Sequence, residues 1–332
     1  MTNNDYSSKS ILITGGLGFI GSNLAERLVD LGGEVTLLDC SLPGSGANLH
    51  NISEFRDSVS LVEGDIRDRR VVDSVVVGKD VVFNLGAQVD HKLAMRDPAL
   101  DADINCRGHL NVLEACRTLA PNSHVIFPGS RMPYGRLKPE DLPVKETHPL
   151  SPLDMYSIHK VTGEAYMRMY HDQHGLDTTV LRLTNPFGPR AQVTNPAYCV
   201  VNWMVRQAME GKPLKIFGDG VQRRDFVYIG DVVDAMVIAG LHPSAKGETF
   251  NIGSGVATPF RDMVHIISEQ NGDNPVECVE WPANYKAVET GDFAADVSKA
   301  RRVLGWSAKT SLQEGLEITR KFYESNRSHY FI

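Results

Sequence analysis

The chain contains no apolar run that approaches ~18 residues, so the sequence offers no segment that could span a membrane as a helix. Residues 1–10 are polar and contain no apolar core of a signal peptide. The five cysteines are scattered along the chain, and none of them forms a C-x-x-C pair. This usage is typical of a cytoplasmic protein with reduced thiols. We therefore expect a cytoplasmic location and no membrane partner.

Positive charge and metal-binding patterns are also scarce. The net charge is −7, and no dense stripe of Lys and Arg is present, which argues against nucleic acid as the main partner. The eleven histidines include no H-x-x-x-H spacing, and His171 with His174 is more typical of a solvated pair than of metal ligands. We expect no nucleic acid and no metal, whereas a small anionic ligand remains compatible with this charge.

Short apolar runs alternate with helical patterns along the first half of the chain. Strands are predicted at residues 10–14, 34–39, 59–63, 81–85, 124–127 and 178–183. Helices are predicted at residues 21–31, 105–119 and 151–174. Strands that alternate with helices predict an α/β fold with a Rossmann-type, doubly wound parallel sheet.

The composition changes after residue 185. Proline and glycine become more frequent, and the elements are expected to be short and irregular through residue 220. Residues 226–229 and 249–252 could return to the sheet, and residues 259–332 contain two helical patterns around a Pro-rich turn. We predict a sheet domain at residues 1–184, with return segments around 223–255. Residues 185–222 and 256–332 are predicted to form a smaller C-terminal substrate-binding lobe.

A glycine-rich turn follows the first predicted strand. Gly15 permits a tight turn, Gly18 lets the backbone approach a pyrophosphate, and Gly21 allows close packing of helix against strand. The helix that begins there offers unpaired N–H groups to a phosphate. Asp39 ends the second strand, where a carboxylate accepts hydrogen bonds from a ribose and repels a 2′-phosphate. The pattern favours NAD over NADP, although an ordinary turn with a strand-end Asp would look similar.

Three side chains further along the chain indicate proton chemistry. Tyr156 and Lys160 are four residues apart, which places them on one helical face. A phenol titrates near ~10, and a neighbouring ammonium would favour the phenolate. Ser130 follows the fifth strand at its carboxyl end, where ligands of open α/β sheets bind. Together with a nucleotide-binding turn, the three residues suggest proton removal coupled to hydride transfer.

Ordered motifs along nearly the whole chain make the resemblance specific. They are Gly15-x-x-Gly18-x-x-Gly21, Asp39, Gly64-Asp65-Ile66, Asn105-x-x-Gly108, Ser130 before Tyr134-Gly135, Tyr156-x-x-x-Lys160, Arg182-x-x-Asn185-x-x-Gly188-Pro189, Phe217-Gly218-Asp219-Gly220, Arg224-Asp225-Phe226 and Asn251-Ile252-Gly253. The chain resembles an extended short-chain dehydrogenase/reductase of the NAD-dependent nucleotide-sugar epimerase/dehydratase family, of the UDP-glucose 4-epimerase-like type.

This resemblance implies a role for each matching residue. Tyr156 would be the catalytic base, Lys160 would hold the nicotinamide ribose, and Ser130 would hydrogen-bond the reacting oxygen. A nucleoside diphosphate sugar would be held by Ser130, Asn185, Phe217 and Arg224. NAD would be held by Gly15, Gly18, Phe19, Ile20, Gly21, Asp39, Asp65, Ile66, Leu85, Ala87, Asn105, Tyr156 and Lys160. For Asp65 and Ile66, a turn residue and a core residue are equally good interpretations.

Departures from the family pattern narrow the reaction. Dehydratases carry an acid pair where this chain has Arg131 and Met132, and decarboxylases carry a nearby Glu that is absent. A C4 epimerase needs only Tyr, Ser, Lys and NAD, so epimerisation is favoured over these two alternatives and over a non-catalytic NAD-binding regulator. Arg131 could contact the substrate or pair with a surface acid. Glu289 stands where many epimerases have Arg, and Lys286 could replace that positive charge.

The resemblance also implies a homodimer. In this family, the helices that here begin near residues 105 and 151 pair across a two-fold axis as a four-helix bundle. Leu110, Met167 and Tyr170 could form the seam, or they could simply cover the sheet.

Overall fold

Seven parallel strands form the centre of the molecule. The computed structural model of the protein describes residues 5–42, 44–282, 286 and 289–331. The strands of the central sheet are β1 Ser10–Thr14, β2 Glu34–Asp39, β3 Val59–Glu63, β4 Val81–Asn84, β5 His124–Ser130, β6 Asp177–Leu183 and β11 Thr249–Ile252. Their order in the sheet is β11-β6-β5-β4-β1-β2-β3, so the winding direction reverses between β1 and β4. In sheets of this kind, ligands bind at the carboxyl ends of the strands beside that reversal.

Helices cover both faces of this sheet and also build the lobe beside it. They are α1 Phe19–Asp30, α2 Arg69–Val76, α3 His91–Arg96, α4 Pro98–Ala102, α5 His109–Leu119, α6 Met155–His174, α7 Val200–Met209, α8 Ile229–Leu241, α9 Phe260–Gln270, α10 Ser298–Leu304, α11 Leu312–Ser325 and α12 Arg327–Tyr330. Single-turn or irregular 3₁₀ segments lie at Leu49–Ser58, Met132–Tyr134, Pro139–Asp141 and Pro243–Ala245. None of the helices in the described ranges is long and apolar enough to cross a lipid bilayer.

Successive side chains along each strand point to opposite faces of the sheet and pack in two separate apolar cores. Ile11 and Ile13 point to the layer that contains α1 and α8, whereas Leu12 points to the layer that contains α2, α5 and α6. All three side chains are fully buried. Because both faces are covered, the strands are apolar on both sides, which is the pattern expected of a parallel α/β sheet.

A third apolar cluster lies outside the sheet. It is formed by side chains of α7, α9 and α11 with the short strands around them, and it includes Val205, Ile267 and Tyr323. The short strands pair two by two as β7 Asn185–Phe187 with β10 Phe226–Tyr228, β8 Leu214–Phe217 with β13 Val276–Val279, and β9 Arg223–Arg224 with β12 Thr258–Pro259. This separate core supports a C-terminal lobe, and the exact domain boundaries stay a prediction.

Several element boundaries differ from the sequence-based expectation. The strand predicted to end at residue 127 continues to Ser130, and the helix predicted from residue 151 begins at Met155, because the Asp154 side chain accepts the Ser157 N–H as its cap. The helix expected at residues 105–119 begins earlier in the chain. A π-helical turn at Asp103–Gly108 joins α4 to α5, so residues 98–119 are helical throughout.

The expectation that residues 226–229 return to the central sheet is wrong, since Phe226–Tyr228 pairs with β7 instead. Residues 249–252 do join the sheet, as its edge strand beside β6. The region expected to be irregular through residue 220 contains the ten-residue helix Val200–Met209. Two helical patterns were expected in residues 259–332, and the described residues there contain four helices.

The helix faces proposed as a dimer seam also need correction. Met167 and Tyr170 are buried against the sheet in the same core as Phe127, and Leu110 packs on the edge of that core. These side chains cover the sheet, which was the alternative interpretation. Any seam on these helices must therefore use other residues.

Candidate active site

The glycine-rich turn is shaped for close approach of a ligand. Gly15 has φ +70°, in the left-handed region that favours glycine, and a side chain there would meet Gly86 at 3.0 Å. A side chain at Gly21 would overlap the Gly15 carbonyl oxygen. No side chain caps α1 at Gly18, so the first turn of the helix, which includes Phe19 and Ile20, offers its N–H groups outward. The turn thus has the form of a pyrophosphate cradle.

Asp39 closes this turn from the end of β2. One carboxylate oxygen accepts the Leu17 N–H at 3.0 Å, and the other accepts the Ser41 N–H at 2.9 Å. Burial raises the pKa of Asp39, and these backbone hydrogen bonds offset part of the rise. The carboxylate is therefore fixed beside the glycine turn, where it can accept from a ribose hydroxyl and would repel a 2′-phosphate.

Asp65 and Ile66 follow β3, the next strand outward. Asp65 is paired with Arg67, whose Nη2 lies 2.6 Å from the carboxylate. Burial alone would raise the pKa of Asp65, but the hydrogen bonds and charge of Arg67 lower it below its usual range. Ile66 is buried, and its Cδ1 would be 2.6 Å from a side chain at Gly108. Both residues have structural partners, so a contact with adenine stays a prediction for them.

The loop after β4 passes the glycine turn at Leu85 and Gly86, and the contact of Ala87 with NAD stays a prediction. Asn105, in the π-helical turn, accepts the Gln88 N–H at 3.1 Å and donates to the Gln88 carbonyl at 2.8 Å. Its amide also donates to Asp101. Because every polar atom of this buried amide is engaged, Asn105 holds the loop after β4 in place, and its contact with NAD stays a prediction.

Ser130, Tyr156 and Lys160 come together at the carboxyl edge of the sheet. All three are buried, with 9%, 8% and 4% of their surface exposed, and the Ser130 hydroxyl accepts the Met132 N–H at 3.2 Å. The Lys160 ammonium donates to the Pro128 carbonyl at 3.1 Å and lies 5.8 Å from the centre of the Tyr156 ring. The strand that ends in Ser130 and the helix that carries the other two residues are thus joined by direct contacts.

The protonation states in this cluster differ from the expectation that Lys160 makes Tyr156 acidic. Burial and the negative charge of Asp154 raise the pKa of Tyr156, and the Ser130 hydrogen bond offsets only part of that rise. Burial lowers the pKa of Lys160 to about 8. The phenol is therefore neutral in the protein by itself, and a further positive charge is needed to ionise it.

A histidine that the sequence did not single out lies against Tyr156. The ring centroids of His91 and Tyr156 are 4.3 Å apart, and His91 Nδ1 is 2.8 Å from a carboxylate oxygen of buried Asp154. Burial alone would raise the pKa of Asp154, but the His91 and Ser157 hydrogen bonds lower it. His91 follows β4, so the shared carboxyl edge of the strands was the signal that could have identified it.

Helix α6 is held in place by a buried ion pair behind the cluster. Arg182 on β6 contacts Glu164 through two nitrogens, at 2.8 Å and 3.0 Å from Oε2, and donates to the Tyr134 hydroxyl at 2.8 Å. Both side chains of the ion pair are 8% exposed. The pair leaves no room above Gly129, where a side chain would lie 2.6 Å from Glu164 Oε1. This lack of space accounts for a glycine at position 129.

The residues expected to bind the substrate lie on the other side of Ser130. Arg131 donates to Asn185 Oδ1 and to Thr290 Oγ1, both at 3.1 Å. It is therefore not paired with a surface acid, which was one of the two interpretations of this residue. Arg224 forms an ion pair with Glu289, so Glu289 neutralises an arginine rather than facing a phosphate alone.

An open cleft of about 470 Å³ adjoins these residues. It is lined in part by Trp281, Lys286 and Glu289. The centres of the Trp281 and Phe217 rings are 5.5 Å apart, so the sequence-predicted Phe217 contacts an aromatic residue that lines this cleft. Within the described ranges, no group of three or more His, Cys, Asp and Glu side chains is arranged to hold a metal ion.

Glu164 is expected to be essential for stability. Glu164→Gln removes the charge that compensates buried Arg182, which should lower the free energy of unfolding by roughly 3 to 5 kcal/mol. Urea unfolding of both proteins measures this. Glu317→Gln, which breaks a surface pair with Arg320, is the matched control and should cost less than about 1 kcal/mol. Equal losses in the two variants would show that the buried pair is not important for stability.

Known proteins are similar to this chain in both sequence and fold. Residues 11–253 match the NAD dependent epimerase/dehydratase family. The UDP-glucose 4-epimerase of Mycolicibacterium smegmatis is 35% identical over 320 residues, which cover 95% of this chain and 98% of that protein. Among solved structures, UDP-glucose 4-epimerase with UDP-glucose from Thermotoga maritima superposes with a TM-score of 0.87 and 30% identity, covering 96% of this chain and 99% of that one. The Thermus thermophilus UDP-glucose 4-epimerase complex with NAD gives a TM-score of 0.84 and 28% identity, over 95% and 99% of the two chains.

Proposed function

Because this chain belongs to the NAD-dependent epimerase/dehydratase family, we propose that it interconverts nucleoside diphosphate sugars that differ in configuration at C4. The observation that carries the proposal is the burial of Ser130, Tyr156 and Lys160 together, with the Lys160 ammonium 5.8 Å from the centre of the Tyr156 ring. This cluster lies at the carboxyl edge of the sheet, next to the glycine cradle. The UDP-sugar specificity of the relatives makes a UDP-sugar the first substrate to test.

The glycine turn and Asp39 would hold NAD. When bound there, NAD would supply the hydride acceptor and donor that epimerisation at C4 of the sugar requires. The N–H groups at the start of α1 would bind the pyrophosphate, and Asp39 would accept from the adenosine ribose. Leu85 borders this cradle and would contact NAD with Ala87, and Lys160 would hold the second ribose.

Tyr156 would take the proton from the 4-hydroxyl, and Ser130 would hydrogen-bond the oxygen as it becomes a ketone. Since burial keeps the phenol neutral in the protein alone, the base forms only when positive charge is close by. Lys160 and an oxidised nicotinamide ring would supply that charge together. This requirement couples proton removal to the presence of the oxidised cofactor.

Residues of the C-terminal lobe would hold the nucleotide. Phe217 and Trp281 offer aromatic surface for a base beside the open cleft, and Asn185 and Arg224 stand between that cleft and Ser130. Arg224 as a diphosphate ligand stays a prediction, because its charge is already shared with Glu289.

The related dehydration and decarboxylation reactions need further acid or base groups. Met132, at the position of a dehydratase acid, has no ionisable group. His91 is a titratable side chain beside Tyr156, and it is the one structural observation that would favour proton chemistry at a carbon other than C4. The reaction products separate these possibilities.

The purified protein should convert UDP-glucose, or another member of a panel of UDP-, GDP-, CDP- and dTDP-sugars, into its C4 epimer. NMR in deuterated water should show the epimer with no solvent deuterium at C5, since epimerisation at C4 never ionises that carbon. A 6-deoxy-4-keto product with deuterium at C5 would show a dehydratase. Carbon dioxide released from a uronate would show a decarboxylase, and either result would overturn the C4 assignment.

Tyr156→Phe should slow turnover by about 10² or more, because only the proton-accepting hydroxyl is lost. Ser130→Ala should cost less, since the reacting oxygen loses one hydrogen bond. Mass spectrometry of the small molecule released on denaturation should find NAD(H) in both variants, which serves as the control for an intact fold. Full activity in Tyr156→Phe would contradict the assigned base.

We also propose that two chains associate through α6. Ile158, Ala165 and Met169 are exposed on one face of this helix, at spacings of seven and four residues, and Ile158 and Met169 are 42% and 40% exposed. Such a stripe matches the seam of packed helices. We propose this stripe as the seam in place of Met167 and Tyr170, which are buried.

Met169→Glu and Ile158→Glu should therefore convert a dimer into a monomer, because each places a charge in the middle of the seam. Light scattering at micromolar concentration measures the mass. Ile318→Glu, at another exposed apolar residue far along the chain on α11, is the control and should leave the mass unchanged. A monomeric wild-type protein would contradict the proposed assembly.

A cytoplasmic location is part of the same proposal. All five cysteines are free thiols in the structure. Unpaired thiols of this number are typical of proteins from a reducing compartment.

A further inference from the structure

Arg131 stands apart from the other arginines at the substrate end of the site. Its guanidinium has only neutral partners, the amide oxygen of Asn185 and the hydroxyl of Thr290. No carboxylate of the described residues lies within 4.0 Å of it, whereas Arg224 next to it is paired with Glu289. Glu289 thus pairs with Arg224, and the next residue, Thr290, accepts from Arg131. The charge of Arg131 is not compensated by a carboxylate of the described residues in direct contact with it.

The surroundings of Arg131 make that charge costly without a ligand. The guanidinium packs 5.3 Å from the centre of the Phe293 ring, and Phe293 is fully buried. Burial and the nearby Arg224 charge lower the pKa of Arg131 to about 9, so the group is still positive at neutral pH. The carboxylate of Asp225, which acts on it from further away, accepts the N–H groups of Ser254, Gly255 and Ala295.

Two hydrogen bonds fix the guanidinium of Arg131 and leave one of its edges available for a ligand. Nε and Nη1 make the two hydrogen bonds, and within the described ranges Nη2 makes none. Part of the Arg131 surface is exposed, and Thr290, which accepts the Nη1 hydrogen bond, lines the open cleft. An arginine fork held by neutral acceptors on one side is suited to receive two oxygens of a carboxylate or phosphate on the other.

We propose that Arg131 is an anion-binding residue of the substrate pocket and that its guanidinium receives an oxyanion of the substrate. The inference rests on the proposed function, since the ligand is taken to be a nucleoside diphosphate sugar. Two groups of such a ligand have this chemistry, namely a phosphate of the diphosphate and a carboxylate on the sugar. Arg131 directly follows Ser130, so either group would be bound within reach of the reacting sugar.

Calorimetric titration of the NAD-loaded protein with UDP, UDP-glucose and UDP-glucuronate tests this assignment. Arg131→Gln should weaken binding by at least about tenfold, the scale of a charge-assisted hydrogen bond. Loss of affinity for all three ligands would identify the phosphate as the bound group. Loss confined to UDP-glucuronate would identify the sugar carboxylate. Unchanged affinity for all three would overturn the proposal.

Two further variants separate ligand binding from a structural role. Arg131→Lys should restore part of the affinity, because it returns a point charge without the fork. A merely structural effect would not be rescued in this way, and failure of the rescue would count against the proposal. Arg168→Met, which removes an exposed arginine of α6, is the matched control and should bind like the wild type.

The experiments distinguish a failure of the proposed epimerase function from a failure of the role proposed for Arg131. If the wild-type protein binds these ligands but produces no epimer, the reaction assigned to the site is wrong, while the comparison of Arg131 variants still stands. If the wild-type protein binds none of the three, the uridine nucleotide is wrong, and the ligand assigned to Arg131 is overturned with it.

Discussion

The buried ion pair of Glu164 and Arg182 determines where the reactive side chains stand. Glu164 is one helical turn beyond Lys160, and Arg182 lies on β6, so the pair fixes the helix against the sheet. Arg182 also donates to Tyr134, whose hydroxyl donates to Asn251 on the edge strand. One chain of contacts therefore joins the helix, two strands and the turn that follows Ser130, and it does so where water cannot compete for the hydrogen bonds.

Charge is distributed unevenly around this framework. Behind the reacting hydroxyls, each buried cation has an anion or a carbonyl oxygen as a partner, as Lys160 has at Pro128. On the substrate side, Glu289 takes up the charge of Arg224, and Arg131 is left with neutral acceptors. The Arg131 charge therefore has no carboxylate in direct contact among the described residues, although Glu289 and Asp225 act on it from further away. Such a site would favour an anionic substrate even though the protein has no broad positively charged surface.

The fold and the reactive cluster were largely predictable from the sequence because they depend on local patterns. Gly15 and Asp39 mark a turn whose shape only these residue types allow, and Tyr156 with Lys160 share a helical face by spacing alone. The partners of Arg131 and Glu289 were not predictable, since they are 54 or more residues away in the chain. For the same reason His91 was missed, because only the folded sheet places it beside Tyr156.

The contact between Gly129 and Glu164 links two positions that lie 35 residues apart. A hydroxyl-bearing residue at 129 and a carboxylate at 164 claim the same space, because a side chain at 129 would lie 2.6 Å from Glu164 Oε1. Substitutions at the two sites should therefore be epistatic, with Ser at 129 tolerated only where residue 164 is smaller. Among homologues, the two columns should covary. A glycine directly before Ser130 then reflects the ancestry of the chain and the way in which helix α6 is anchored. It does not indicate a changed reaction.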